Sequence, residues 1–102
     1  MKFIESPIFT KLLKSYLTDE EYNAFQWNLV NHPEAGDIIP ESGGLRKIRW
    51  AAKGRGKRGG VRVIYYYQNS FGTIWFLTIY AKNEASSIPV SILRKIKEEL
   101  DI

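Results

Sequence analysis

Nine lysines and arginines stand between Ser42 and Asn83 with no acidic residue among them: Arg46, Lys47, Arg49, Lys53, Arg55, Lys57, Arg58, Arg62 and Lys82. The rest of the chain holds 6 basic and 11 acidic residues, so a window of +9 sits beside a remainder of −5, and the net charge of +4 conceals the segregation. Unopposed cations gathered on one sheet repel one another, and a facing polyanion such as nucleic acid is the usual reason for such grouping. A solvated edge that merely keeps the chain soluble is the alternative. The total exclusion of acids argues against it, as does the place of Arg62 inside an apolar run, where a guanidinium costs free energy unless an anion meets it.

Other chemistry finds little support in these residues. There is no cysteine, which removes disulfides and thiolate metal sites and fits a reducing cytoplasm. His32 is the sole histidine, so no metal site is expected, nor a cofactor. Gly54-Arg55-Gly56-Lys57-Arg58-Gly59 matches the letters of a dinucleotide fingerprint, but a strand follows instead of a helix, and no acid occurs until Glu84. A Walker loop fails because Arg58 follows Lys57 where a Ser or Thr is required. Phosphate contact by a glycine-rich cationic hairpin remains, since the glycines let the backbone approach closely.

The elements that must position these groups follow from periodicity. The 102 residues fit one domain with one core. No signal peptide is expected at Met1 to Ser6, and Gln68-Asn69-Ser70 with Gly72 breaks the uncharged stretch 63–81 into two strands, so no membrane span is expected. Lys2 to Glu5 reads as a first strand. Pro7 opens a helix to about Leu17, with Ile8, Leu12, Leu13 and Tyr16 at helical spacing. Thr18 and Glu21 form a capping-box pattern for a second helix to about Asn31, which His32-Pro33 stops. The segment 33–44 reads as a loop.

Leu45 to Ala51 alternates so that Ile48 and Trp50 share a packing face with Arg46, while Lys47 and Arg49 share the open one. A hairpin from Ala52 to Gly60 leads to Val61–Tyr67, which sets Val61, Val63, Tyr65 and Tyr67 opposite Arg62, Ile64 and Tyr66. A third strand covers 73–80. Ser87 and Pro89 open a last helix with the stripe Val90, Leu93, Ile96, Lys97 and Leu100. The expected architecture is α+β: a small, mostly antiparallel sheet with two N-terminal helices and a C-terminal helix, all on one sheet face.

The block Ser42-Gly43-Gly44-Leu45-Arg46-Lys47-Ile48-Arg49, the run Gly54 to Tyr67, and Leu77-Thr78-Ile79-Tyr80-Ala81-Lys82-Asn83-Glu84, preceded by Gly36-Asp37, resemble the RelE superfamily of bacterial toxins in its HigB-type branch. The resemblance implies a RelE-like fold and the toxin of a type II toxin–antitoxin pair. Such a toxin is a cytoplasmic, ribosome-dependent endoribonuclease that cuts mRNA in the ribosomal A site by metal-independent attack of the ribose 2′-hydroxyl. It further implies a small antitoxin partner, of helix-turn-helix DNA-binding type, through which alone operator DNA is reached. The family's basic strand pair matches Lys47 and Arg49, its strand arginine Arg62, and its late-strand basic residue Lys82; some relatives carry arginine or histidine where this chain has Asn83. An Arg fork on a pentacoordinate phosphorus suits Arg62. Lys47 or Lys82 are candidate bases, and Glu84 is the carboxylate nearest in sequence. Arg46, Lys53, Arg55, Lys57 and Arg58 are candidate contacts to RNA or ribosome phosphates, with Tyr80 a candidate stacking partner for a base. The alternative is a non-catalytic module that binds RNA or DNA through the same hairpin.

Replacing Lys57 and Arg58 together by alanine is expected to weaken ribosome binding and lower the slope of log affinity against log salt by about 2. Equilibrium binding to ribosomes across a salt series measures both, and an unchanged slope removes the hairpin from the interface.

Overall fold

A computed structural model describes residues 1–52 and 56–102, and the side chains of all of these except 56–59. In chain order the elements are β1 (Lys2–Glu5), α1 (Pro7–Tyr16), α2 (Asp19–Asn31), β2 (Asp37–Ile38), β3 (Arg46–Ala52), β4 (Gly56–Gln68), β5 (Thr73–Ala81) and α3 (Val90–Glu99). The strands form one sheet in the order β1-β5-β4-β3-β2, parallel between β1 and β5 and antiparallel elsewhere.

The local signals work as expected at α2. Glu21 N–H donates to Thr18 Oγ1 at 3.1 Å, Thr18 N–H donates to Glu21 Oε1 at 2.8 Å, and the helix ends at Asn31 before His32 and Pro33. β2 was not expected: Asp37 and Ile38 pair with Lys47 and Arg46 inside the segment read as loop, because two residues are too few to show periodicity. Leu45 donates its N–H to Ser42 Oγ, and Ile39 donates its N–H to Leu45 O, which closes the turn between β2 and β3.

The helices lie on both faces of the sheet, not on one. Phe9, Leu17, Phe25 and Leu29 of the N-terminal segment pack with Ile48, Val63, Tyr65, Ile74, Phe76 and Ile79. Phe76 is the hub, its ring 4.9 Å from Phe9, 5.5 Å from Phe3 and 5.7 Å from Phe25. On the other face, Leu93 and Ile96 of α3 pack with Leu45, Ile64, Leu77 and Tyr80. Burying both sheet faces explains why β5 is apolar nearly throughout.

Strict alternation along β5 would put residues 76, 78 and 80 on one face. It does not hold, because the register with β4 shifts: Tyr65 opposes Phe76 and Ile64 opposes Thr78, so Leu77 has no partner across the ladder. This β-bulge resets the frame, leaving Phe76 and Ile79 toward α1 and α2 and Leu77 and Tyr80 toward α3. Ser6 holds it. The buried Ser6 hydroxyl donates to Leu77 O at 2.7 Å and accepts from Phe9 N–H at 2.9 Å, so one side chain serves the bulge and caps α1.

A second anchor binds the loop before β2 to the sheet. Tyr65, fully buried, donates its hydroxyl to Pro33 O at 2.8 Å and accepts from Gly36 N–H at 2.9 Å. A Cβ on Gly36 would come within 2.8 Å of the Tyr65 ring and 3.1 Å of Arg46 Cβ, so this close approach requires glycine.

Ser6→Ala is expected to destabilise the protein by about 2 kcal/mol, combining a lost N-cap with a buried carbonyl left without its donor. Urea unfolding monitored by far-UV circular dichroism measures it, and a loss below about 0.5 kcal/mol would mean that the bulge holds without the serine.

Candidate functional site

Sheet register assembles the site on the face toward α3. Asp37, Lys47, Ile64 and Thr78 form one cross-strand row through β2, β3, β4 and β5, and Arg49, Arg62 and Tyr80 form the next. Directly opposed side chains on one face lie about 5 Å apart at Cβ, and like charges so placed repel. Arg49 and Arg62 are such a pair, with Lys47 two residues along the same strand face as Arg49. Ile48 turns the other way into the core, as its alternation with Lys47 and Arg49 requires.

Lys47, Arg49 and Arg62 line one concavity of about 450 Å³ whose rim includes Asp37 and Ser86. Arg62 is the least open of the three: it is 7% exposed, against the expectation of an open face, because it sits on β4, an inner strand of a sheet covered on both faces. Its Nη1 donates to Val61 O at 3.5 Å, the long limit for such a bond. Three cationic side chains on one recess can hold an anion, most strongly where water is excluded.

A smaller cavity of about 220 Å³ adjoins it, and Lys47 lines both. Its walls are apolar, from Ile39, Ile64, Ile88, Pro89 and Leu93, with Tyr80 and Ser87 contributing polar atoms. The Tyr80 hydroxyl is buried without a hydrogen-bond partner among the described residues. Burial raises its pKa, while the charge of Arg62 pulls it back down.

Other residues singled out in the sequence lie elsewhere. Arg46 is on the opposite face, where its Nη1 donates to Gly36 O at 2.8 Å and Glu34 O at 3.2 Å and its Nη2 lies 4.0 Å from Glu34 Oε2; it fastens the loop before β2. Glu84 accepts through Oε1 from the Tyr16 hydroxyl at 2.6 Å and from Ala81 N–H at 3.1 Å, which ties the end of β5 to α1. Lys82 is exposed beside that turn and does not line the concavity. Lys53 and Arg55 lie outside the described residues, as do the side chains of Lys57 and Arg58.

Periodicity did not reveal Asp37 or Ser86. Asp37 carried a signal nonetheless, as the acid beside Gly36 in the block that resembles the toxin family; Ser86 sits in the connection to α3 with no pattern to mark it. Among the described residues no group of three or more His, Cys, Asp or Glu could hold a metal ion, and no helix is long and apolar enough to cross a membrane.

No protein-family model matches the chain. Among solved structures it is similar to a double arginine-to-alanine mutant of the E. coli toxin RelE in the free state, with a TM-score of 0.60 and 13% sequence identity over 94% of this chain and 95% of that one. The likeness extends over nearly the whole of both chains, and the chain has a RelE-like fold.

Proposed function

We propose that the protein is the toxin of a type II toxin–antitoxin pair, an endoribonuclease that cuts mRNA in the A site of the ribosome in the cytoplasm. One observation carries this reading: on a RelE-like fold, Lys47, Arg49 and Arg62 line one recess, with Arg49 opposite Arg62 across the strands, a clustering of cationic groups that suits an RNA phosphate. The sequence block from Ser42 to Glu84 supports the HigB-type branch. A small antitoxin that carries the operator-binding function belongs to the same reading.

The chemistry follows from the groups at the recess. The 2′-hydroxyl loses its proton, its oxygen attacks the adjacent phosphorus, and the bond to the 5′-oxygen breaks to leave a 2′,3′-cyclic phosphate and a 5′-hydroxyl. Negative charge grows on the non-bridging oxygens, where the Arg62 and Arg49 guanidiniums act; one such donor is worth about 3 kcal/mol. Asp37, the carboxylate at the recess, takes the 2′-proton. Arginine does not release protons, so the leaving oxygen takes its proton from the Lys47 ammonium. Glu84 and Lys82, nearer in sequence to the family's late-strand position, serve the β5 end and the outer phosphate contacts instead.

Purified protein added to translating ribosomes is expected to produce new 5′ ends within the A-site codon; binding to RNA without any cut, at excess protein, would favour the non-catalytic module. Arg62→Lys keeps the charge but loses the fork, so ribosome affinity is expected to hold while the single-turnover cleavage rate falls about 100-fold. Normal cleavage by this variant would overturn the assignment of Arg62.

Asp37→Asn is expected to slow single-turnover cleavage by about 100-fold or more while ribosome affinity holds. Glu84→Gln is expected to keep the cleavage rate within about threefold and to lower the melting temperature, because it weakens the tie between β5 and α1. The reverse pattern would return the base to Glu84.

A further inference from the structure

The cavity beside the cationic recess has a composition that phosphate binding does not use. Its volume of about 220 Å³ is below the range of about 300–1,000 Å³ typical for sites that take drug-sized ligands, and so suits a single flat ring system. Ile39, Ile64, Ile88 and Pro89 give it apolar walls, and Leu93 of α3 closes one side. Tyr80 stands at this cavity with its side chain 6% exposed and its hydroxyl without a partner among the described residues. A buried phenol without a partner costs stability in the unliganded protein, which a ligand that hydrogen-bonds to it recovers. Lys47 is shared between the two cavities, so a ligand filling both is anionic at one end and flat and apolar with polar edges at the other. A nucleotide has that form.

We infer that the cavity between the sheet and the start of α3 seats the base next to the cleaved phosphate, and that the Tyr80 hydroxyl reads that base's edge. This rests on the proposed nuclease function and adds a specificity site to it. The buried ring excludes the stacking role expected of Tyr80 from the sequence: its polar tip, not its face, makes the contact. Base selection then comes from a hydrogen bond in an apolar pocket, a device that rejects a ring lacking the right group far better than apolar fit does.

The test uses the four nucleoside 3′-monophosphates and inorganic phosphate as probes on the full chain, with binding followed by amide chemical shifts. The expected result is movement at Ile64, Tyr80 and Ile88 together with Lys47 and Arg49 for nucleotides, and at Lys47 and Arg49 alone for phosphate, with about tenfold between the tightest and weakest base. Tyr80→Phe is expected to fold as well as the parent, since it removes a polar atom that has no partner, to collapse that spread to about twofold or less, and to leave phosphate binding unchanged. Ile88→Trp, which fills the cavity, is expected to weaken all four nucleotides about tenfold and phosphate not at all. On ribosomes, Tyr80→Phe is expected to broaden the bases found beside the cut. Shifts confined to Lys47 and Arg49 for every probe, or a base spread unaltered in Tyr80→Phe, overturn the base pocket while leaving the anion site intact. Absence of shifts at Lys47 and Arg49 overturns the anion site as well. Weakened antitoxin binding by both variants with an unchanged base distribution assigns the cavity to a protein side chain and overturns the inference.

Discussion

A single hydroxyl governs which side chains share a face. Ser6 holds the carbonyl of Leu77, the residue that β5 carries in excess of β4, and in doing so fixes the bulge that reverses the strand's alternation. Without that reversal Tyr80 would point at α1 with Phe76, and the row of Arg49, Arg62 and Tyr80 would not exist. The same hydroxyl caps α1, so the helix whose Phe9 stacks on Phe76 and the strand frame that presents Phe76 are set by one atom. Core and site are thus coupled through a position that belongs to neither.

Two faces covered by helices leave little open sheet on which to build a site. The concavity is lined from β2, β3 and β4 and by Ser86 of the connection to α3, while Ser87 of the same connection lines the adjoining cavity. That position accounts for Arg62. A guanidinium that is 7% exposed on a central strand is largely desolvated, which raises the cost of its charge and strengthens its interaction with any charged group close to it. Arg49, on the neighbouring strand, keeps more solvent and lines the same concavity.

Much of this was legible in the chain. The capping box at Thr18 and Glu21, the His32-Pro33 stop and the alternation that separates Lys47 and Arg49 from Ile48 and Trp50 are local signals, and local signals survive folding. The bulge is not local: nothing in Thr73–Ala81 distinguishes Leu77, because its extra place is set by register with β4 and by Ser6, 71 residues away. α3 on the second face was missed for a related reason. An amphipathic stripe states that a helix packs but not on which side of a sheet, and the apolar run of β5, buried on both sides, was the available clue. Arg46 differs from Lys47 by one position, and that one step of a two-residue period sends it to the loop anchored by Tyr65 and Gly36.

The separation of charge in the sequence has a structural counterpart in how the carboxylates are used. Glu5 accepts from the hydroxyls of Thr10 and Tyr22, Glu21 from the amide of Thr18, and Glu84 from the hydroxyl of Tyr16 and the amide of Ala81. These neutral donors satisfy acids on the side of α1 and α2, and burial together with the Glu5 bond pushes the Tyr22 phenol far above its ordinary range, so the donor stays protonated. Among the described residues, the carboxylate that lines the cationic recess is Asp37, which pairs with Lys47 across the ladder.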